Sequence, residues 1–452
     1  MIKVVKFGGS SLADAKQFQK VKQIVQNDDA RRFVIVSATG RIHKKDNKIT
    51  DLLYLCHAHL KYHVNCDAIF QMIEERFLSI QKELNLKYPI TKDLNQLKEA
   101  MNKSIPLDYL VSRGEYLTAK LMAEYLGYTF LDAKDLIYFS YDGKIDFMKT
   151  KAMMEHALQE NDRFVIPGFY GAMPDGQVKI MARGGSDITG AIIAKIVHAD
   201  VYENWTDVSG ILMGDPRIIH EPRRIDKITY SELRELSYMG ANVLHEDAIF
   251  PVKEENIPIN IRNTNEPHNP GTLIMEAEDE MQSDQVSPIT GIAGRKDFTV
   301  VAIYKNHMSN EVGIIRRALS VFEKYQISIE HIPSGIDSFS VVVNSADIKD
   351  KIYEIVAELK TECHSDQVKV IDGIALIATV GRHMSSRPGI SGQLFAVLGN
   401  NDINIRMIAQ GSDEINIIVG VENKDFEKTI QVIYEHFVSQ PHMMLSDRSD
   451  QS

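Results

Sequence analysis

Val5-Lys6-Phe7-Gly8-Gly9-Ser10-Ser11 runs a short apolar strand into a lysine and then a paired-glycine, paired-serine turn. Adjacent glycines let a ligand approach the backbone, and successive N–H groups in such a turn form an anion-binding concavity. Lys6 adds a positive charge at its edge, and residues 12–26 read as a helix whose N-terminus would face the same spot. The spacing is not that of a Walker A loop. Alone, the segment fits a tight turn with a solvated lysine better than a phosphate site, so its meaning depends on what surrounds it.

Outward from that turn, strand-like runs at 2–7, 33–37, 128–132 and 163–167 alternate with amphipathic stretches, including a helix at 187–198. Consecutive apolar residues such as Val34-Ile35-Val36 suit strands covered on both faces, so an α/β domain with a largely parallel sheet is predicted over 1–280. The stretch 276–287, rich in Glu, Asp, Gln and Ser, reads as a linker. Beyond it one unit is written twice. Strand 299–304, helix 312–324, strands 327–332 and 338–343 and helix 349–359 recur as 375–380, 389–400, 403–408, 414–419 and 424–437, an offset of about 76 residues. Two ferredoxin-like βαββαβ modules are predicted, at 288–370 and 371–445. The second lacks a fourth strand of its own, and the run 289–293 is expected to fill that gap by interleaving the two.

At 452 residues the chain exceeds what one core usually supports. The net charge of −11, from 62 acidic against 51 basic residues, argues against nucleic acid or an anionic membrane as partner. The three cysteines, Cys56, Cys66 and Cys363, lack metal-ligand spacing, so neither a disulfide framework nor a zinc site is expected. No apolar run approaches membrane-spanning length. A cytoplasmic enzyme with no metal ligands of its own is the expected class.

A second glycine-rich element, Arg183-Gly184-Gly185-Ser186-Asp187, also opens a helix; Arg183 offers a fork for a carboxylate or phosphate, and Asp187 can orient a lysine. Two such entries in one parallel sheet can face each other at its carboxyl edge. Ser112-Arg113-Gly114-Glu115 is read as the opening of a helix through 126, with Glu115 in its first turn, either complementing the macrodipole or holding an amino group. Thr50-Asp51 follows the polar loop 40–48 and starts another helix. Trp205-Thr206-Asp207 and Asp215-Pro216-Arg217 read either as nucleotide contacts or as plain turns.

In this order the motifs resemble the aspartate kinases of the amino-acid kinase family, over nearly the whole chain, with the repeats similar to that family's tandem ACT domains. The resemblance implies an amino-acid-kinase-type sandwich followed by two ACT modules. It also implies transfer of the γ-phosphoryl of ATP, with Mg²⁺ held mainly through the phosphates, to the β-carboxylate of aspartate. Lys6, Arg183 and Asp187 would be catalytic, and Ser37, Thr50, Glu115, Arg183 and Asp187 would hold aspartate. Lys6, Gly8, Gly9, Ser10, Ser186, Thr206, Asp207 and Arg217 would hold ATP. An amino-acid effector, lysine, threonine or both, would sit near Met308, Ser309, Val312, Gly313, Ser328, Ile329, Glu330, Ser334 and Asp337, at a homodimer interface between ACT modules. Departures from the family pattern are Ala182 for Gly, Thr39 for Pro or Met, Leu212 for Tyr and Asn242 for Lys. A kinase for glutamate or acetylglutamate and an inactive amino-acid sensor are the alternatives.

Overall fold

The computed structural model describes residues 1–102, 104–181, 184–241, 244, 249–276, 288–384, 387–411 and 413–439. They fall into two compact units: Met1–Ile211 with Arg224–Tyr230 and Val243–Ala277, and Leu212–Arg223 with Ser231–Asn242 and Glu278–Ser452.

The chain begins with β1 (Lys3–Phe7), α1 (Ala15–Gln26), β2 (Arg31–Val36) and the helices α2 (Ile49–Lys61), α3 (Asp67–Glu83), α4 (Ile90–Ala100) and α5 (Leu107–Leu126). Next come β3 (Thr129–Phe130), α6 (Ala133–Leu136), α7 (Phe147–Ala157), β4 (Phe164–Pro167), the hairpin β5 (Tyr170–Ala172) and β6 (Val178–Ile180), α8 (Gly185–Ile196) and β7 (Val201–Thr206). β8 (Lys227–Thr229), α9 (Tyr230–Tyr238), α10 (Phe250–Lys253), β9 (Ile259–Asn263) and β10 (Thr272–Met275) follow.

The main sheet has the order β3-β4-β2-β1-β7-β9-β10-β8 and is parallel except where β9 meets β10. Val4, Val5, Val34, Ile35, Val36, Val165 and Ile166 are fully buried on consecutive positions, as strands covered on both faces require. Register aligns Phe7 with Val36 and Trp205, and Val36 with Pro167, so these strands end at one edge. Gly8, Ser37 and Asp207 therefore leave the sheet side by side.

Two expected helix starts move. α1 begins at Ala15, because the Asp14 carboxylate accepts from the Gln17 N–H and caps it; Gly9–Leu12 forms a separate 3₁₀ turn. The helix end facing the phosphate turn is thus the 3₁₀ turn, not α1. α5 starts after Pro106, whose φ of −63° suits a helix entry, so Glu115 lies in mid-helix and not in a first turn. Complementing the macrodipole no longer accounts for it.

The second unit contains β11 (Gly291–Tyr304), α11 (Ile314–Lys324), β12 (Ser338–Asn344), α12 (Ser345–Ile348), α13 (Ile352–Cys363), β13 (Gln367–Val380), α14 (Ile390–Asn400), β14 (Met407–Ala409), β15 (Asn416–Glu422) and α15 (Phe426–Tyr434). One antiparallel sheet, β12-β11-β13-β15-β14, serves both repeats. The runs 289–293 and 299–304 are not separate strands: β11 is continuous for 14 residues, pairing Gly291–Arg295 with Leu376–Val380 and Phe298–Tyr304 with both β12 and the first half of β13. Residues 327–332 form no ladder. The Glu330 N–H donates to the Val342 carbonyl and the Val342 N–H to the His331 carbonyl, the Ser340 N–H donates to the Pro333 carbonyl, and Ser334 bridges to Phe339, but these remain isolated bridges because Pro333 has no N–H to return.

Two segments that precede the linker in sequence belong to this second unit. The Ile292 N–H donates to the Met213 carbonyl (2.8 Å), and the Arg223 N–H donates to the Tyr434 hydroxyl (2.7 Å). In α9, Glu232 is fully buried and accepts from the Thr290 hydroxyl, the Arg382 N–H (3.0 Å) and the Arg382 guanidinium (2.7 Å).

Candidate active site

The carboxyl edge of the main sheet opens into a cleft of about 820 Å³ whose walls include Gly8, Gly9, Ser10, Ser37, Thr50, Glu115, Thr206 and Asp207. Strand ends far apart in sequence meet there through backbone bonds. The Gly8 N–H donates to the Trp205 carbonyl (2.9 Å), and the Ser37 N–H donates to the Phe7 carbonyl (3.1 Å). The two loops that flank the cleft touch directly. A Cβ on Gly40 would stand 2.5 Å from the Gly9 carbonyl carbon, so only glycine allows the Gly40 N–H to donate to the Gly9 carbonyl at 2.8 Å.

Lys6 is 7% exposed and ion-pairs with Asp187 at 2.6 Å. Register explains the meeting. Lys6 of β1 lies opposite Asn204 of β7, on the same face, and the Asn204 amide donates to the same Asp187 oxygen at 2.8 Å. α8 presents Asp187 from its first turn, entered through Gly184 at φ 76°, a left-handed backbone that glycine tolerates best. Burying an ammonium and a carboxylate is tolerable only as a pair, so the triad is held in place before any ligand arrives.

Glu115 is 4% exposed, and its Oε2 has no hydrogen-bond partner. Burial pushes its carboxyl up to about 8, against the Ala38 amide, its own amide and the Arg113 guanidinium, which pull the other way. A buried carboxyl with one oxygen unsatisfied at a cleft wall fits a cationic group arriving with a ligand. Thr39, 1% exposed, also lines the cleft with an unpartnered hydroxyl.

Of the predicted site residues, the structure gathers the phosphate turn, Ser37, Thr50, Glu115, Thr206 and Asp207 into this one cleft, with Lys6 and Asp187 paired beside the turn. Arg183 lies outside the described residues, as do Ala182 and Asn242. Ser186 is buried in the first turn of α8. Arg217 belongs to the second unit, with a side chain 86% exposed and forked onto Asp215. Sequence reasoning missed Thr39, Arg41, His43, Lys44 and Lys48, all on the cleft wall, and the Asn204 bond to Asp187. The run of basic residues in loop 40–48 was the available signal.

The predicted effector residues spread over the first repeat. Ser328 and Ile329 line a groove with Ile315, Leu319 and Ile327. Met308 is buried, Val312 is 95% exposed, and Gly313 caps α11 at φ 86°. Glu330 accepts from the Tyr238 hydroxyl (2.5 Å), and the Asp337 carboxylate accepts from the His307 N–H (2.9 Å).

Residues 1–263 match the model of the amino acid kinase family, and 377–437 match an ACT domain. The chain is 36% identical to aspartokinase 3 of Bacillus subtilis, over 96% of this chain and 98% of that one. Its fold matches the crystal structure of Clostridium acetobutylicum aspartate kinase, an allosteric enzyme, at 49% identity and a TM-score of 0.89, covering 96% of this chain and 99% of that one. Escherichia coli aspartokinase III matches in two forms. The complex with aspartate and ADP aligns at 25% identity and a TM-score of 0.72, over 96% of this chain and 99% of that one. The complex with lysine and aspartate aligns at 26% and 0.74, over 97% and 99%.

Proposed function

The chain belongs to the amino acid kinase family and, within it, to the aspartokinases; from that membership we propose that it forms 4-phospho-L-aspartate and ADP from L-aspartate and ATP. A β-carboxylate oxygen of aspartate attacks the γ-phosphorus, the bond to the bridging oxygen breaks, and that electron pair leaves with ADP. A carboxylate is already ionised at neutral pH, so no general base is needed. Catalysis is positioning plus neutralisation of the charge on the transferring group.

Supporting this reading above all is the juxtaposition of the Lys6–Asp187–Asn204 triad with the Gly8-Gly9-Ser10 turn in a cleft that also holds Glu115, whose Oε2 lacks a partner. Lys6 meets the transferring phosphoryl group, Asp187 keeps its ammonium aimed, and the turn's amides line the phosphate path. Glu115 takes the substrate ammonium, Ser37 and Thr50 donate to its carboxylates, and Arg183 takes the α-carboxylate. Thr206, Asp207, Ser186 and Arg217 contact the nucleotide. Ser10 and Asp207 are hard oxygen donors on the same wall, suited to a Mg²⁺ that arrives on the phosphates and offsets their charge.

We assign the product to the start of lysine, threonine and methionine synthesis, in the cytoplasm; among the described residues no helix is long and apolar enough to cross a membrane. Feedback by lysine, threonine or both acts through the ACT modules, paired between two copies of the chain, with Ser328, Ile329 and Glu330 at the effector. Trapping the acyl phosphate as a hydroxamate, with aspartate, glutamate or acetylglutamate as acceptor, tests the assignment. Product with aspartate alone is expected; product with glutamate alone would overturn it. Adding lysine and threonine singly and together tests the feedback.

A further inference from the structure

Loop 40–48 separates two clefts. Arg41, His43, Lys44 and Lys48 line the active-site side, while Ile42 and Asp46 line a second cleft with Arg76 of α3. Arg41 has a distant partner, Asp51 at 3.7 Å; Lys44 and Lys48 have no carboxylate partner among the described residues. Unpaired cations held over a phosphate site repel one another until an anion arrives, and an exposed loop relaxes that repulsion by moving away. Something must hold the loop in.

The anchor is Arg76, largely buried on α3. Its Nη1 donates to the Gly40 carbonyl (2.8 Å) and more weakly to that of Ala13 (3.4 Å), and its Nη2 donates to Asp46 (2.6 Å). Asp46 in turn accepts from the Ile42 and Asn47 N–H groups, both at 2.8 Å. The side chains are only 11% and 15% exposed, beneath a loop whose other residues from Arg41 to Lys48 are exposed. One planar fork thus ties the start of the loop, its far end and the turn after Gly9–Leu12. That geometry uses the fixed donor spacing of a guanidinium, which lysine lacks.

We propose that Arg76 is a positioning residue for phosphoryl transfer: through Gly40 and Asp46 it holds Lys44 and Lys48 over the transferring group. This rests on the proposed reaction. The test is steady-state kinetics of the full chain carrying Arg76→Ala or Arg76→Lys, and of Arg76→Ala combined with Lys44→Ala and Lys48→Ala, with melting temperatures alongside. Arg76→Ala is expected to lower kcat by about 10- to 100-fold, Arg76→Lys to rescue little, and millimolar guanidinium to restore part of the loss. Without the two lysines the same substitution should cost less than about threefold, because no charge remains to be misplaced.

Unchanged kcat and KM in Arg76→Ala, or an undiminished loss in the background lacking the lysines, would overturn the proposal. Should Arg76→Ala not fold, Asp46→Asn carries the same double comparison. A parent that binds ATP by calorimetry but phosphorylates no aspartate would sink the reaction assignment alone; ATP affinity in Arg76→Ala, reduced or unchanged, then decides the clamp.

Discussion

Glu115 and Glu232 are both buried carboxyls on helices, one in each unit, and they are housed in opposite ways. Glu232 is saturated by Thr290 and the backbone and guanidinium of Arg382; Glu115 keeps one oxygen without a partner and faces a cleft. A buried charge with its bonds made offsets its own desolvation and is costly to break, whereas an unsatisfied one lowers stability and is kept for a ligand that completes it. The contrast separates scaffold from site more sharply than burial alone.

The largest expected effect lies on the scaffold side. Glu232→Ala removes a fully buried carboxylate together with its bonds to Thr290 and the part-buried Arg382 and should destabilise the second unit by about 3 kcal/mol, read by denaturant titration. A loss below about 1 kcal/mol would break the contrast. Next comes Lys6→Ala, which should lower kcat at least ~10²-fold, about 2.7 kcal/mol of transition-state stabilisation, read by steady-state kinetics.

Glu115→Gln should act through pH. With its folded value raised to about 8 from 4.5, Glu115 takes up a proton on folding between those values. Its contribution to stability is therefore fully present below about 4.5 and is lost as pH rises through about 8. The melting temperature of the free protein should fall over that window, less steeply in Glu115→Gln and with aspartate bound. The variant should also raise KM for aspartate. Identical pH profiles of parent and variant would show that Glu115 is not the unsatisfied group. The smallest effect is expected at Arg217: Arg217→Ala should change stability by less than ~0.5 kcal/mol and raise KM for ATP a few-fold, and no change in KM would remove it from the nucleotide contacts.

Much of this was readable in advance because strand ends and glycine turns are local signals. Lys6 to Ser11, Ser37 and Thr206-Asp207 each follow an apolar run, and a parallel sheet had to bring such ends to one edge. The start of α5 was misplaced because the polar Ser112-Arg113 looked like an entry, although Pro106 is the true signal. Loop 40–48 read only as a polar loop, since a lysine run carries no sign of the largely buried arginine on α3 that holds it. The continuity of β11 was hidden by Arg295-Lys296-Asp297. That charged break in the apolar pattern is an irregularity in the ladder, with Asp297 at φ 68°, and not the end of a strand.

β11 and β13, each 14 residues long, carry a further consequence. The two repeats have the look of a gene duplication, yet they are no longer interchangeable parts. Replacing one copy with its counterpart from a relative imports half of the other copy's hydrogen-bonded ladder. A single-residue insertion in either strand would turn the side chains on one side of it to the opposite face of the sheet, in a strand that both repeats share. Evolution of the two halves is thereby yoked: a change that suits one must be acceptable to its twin.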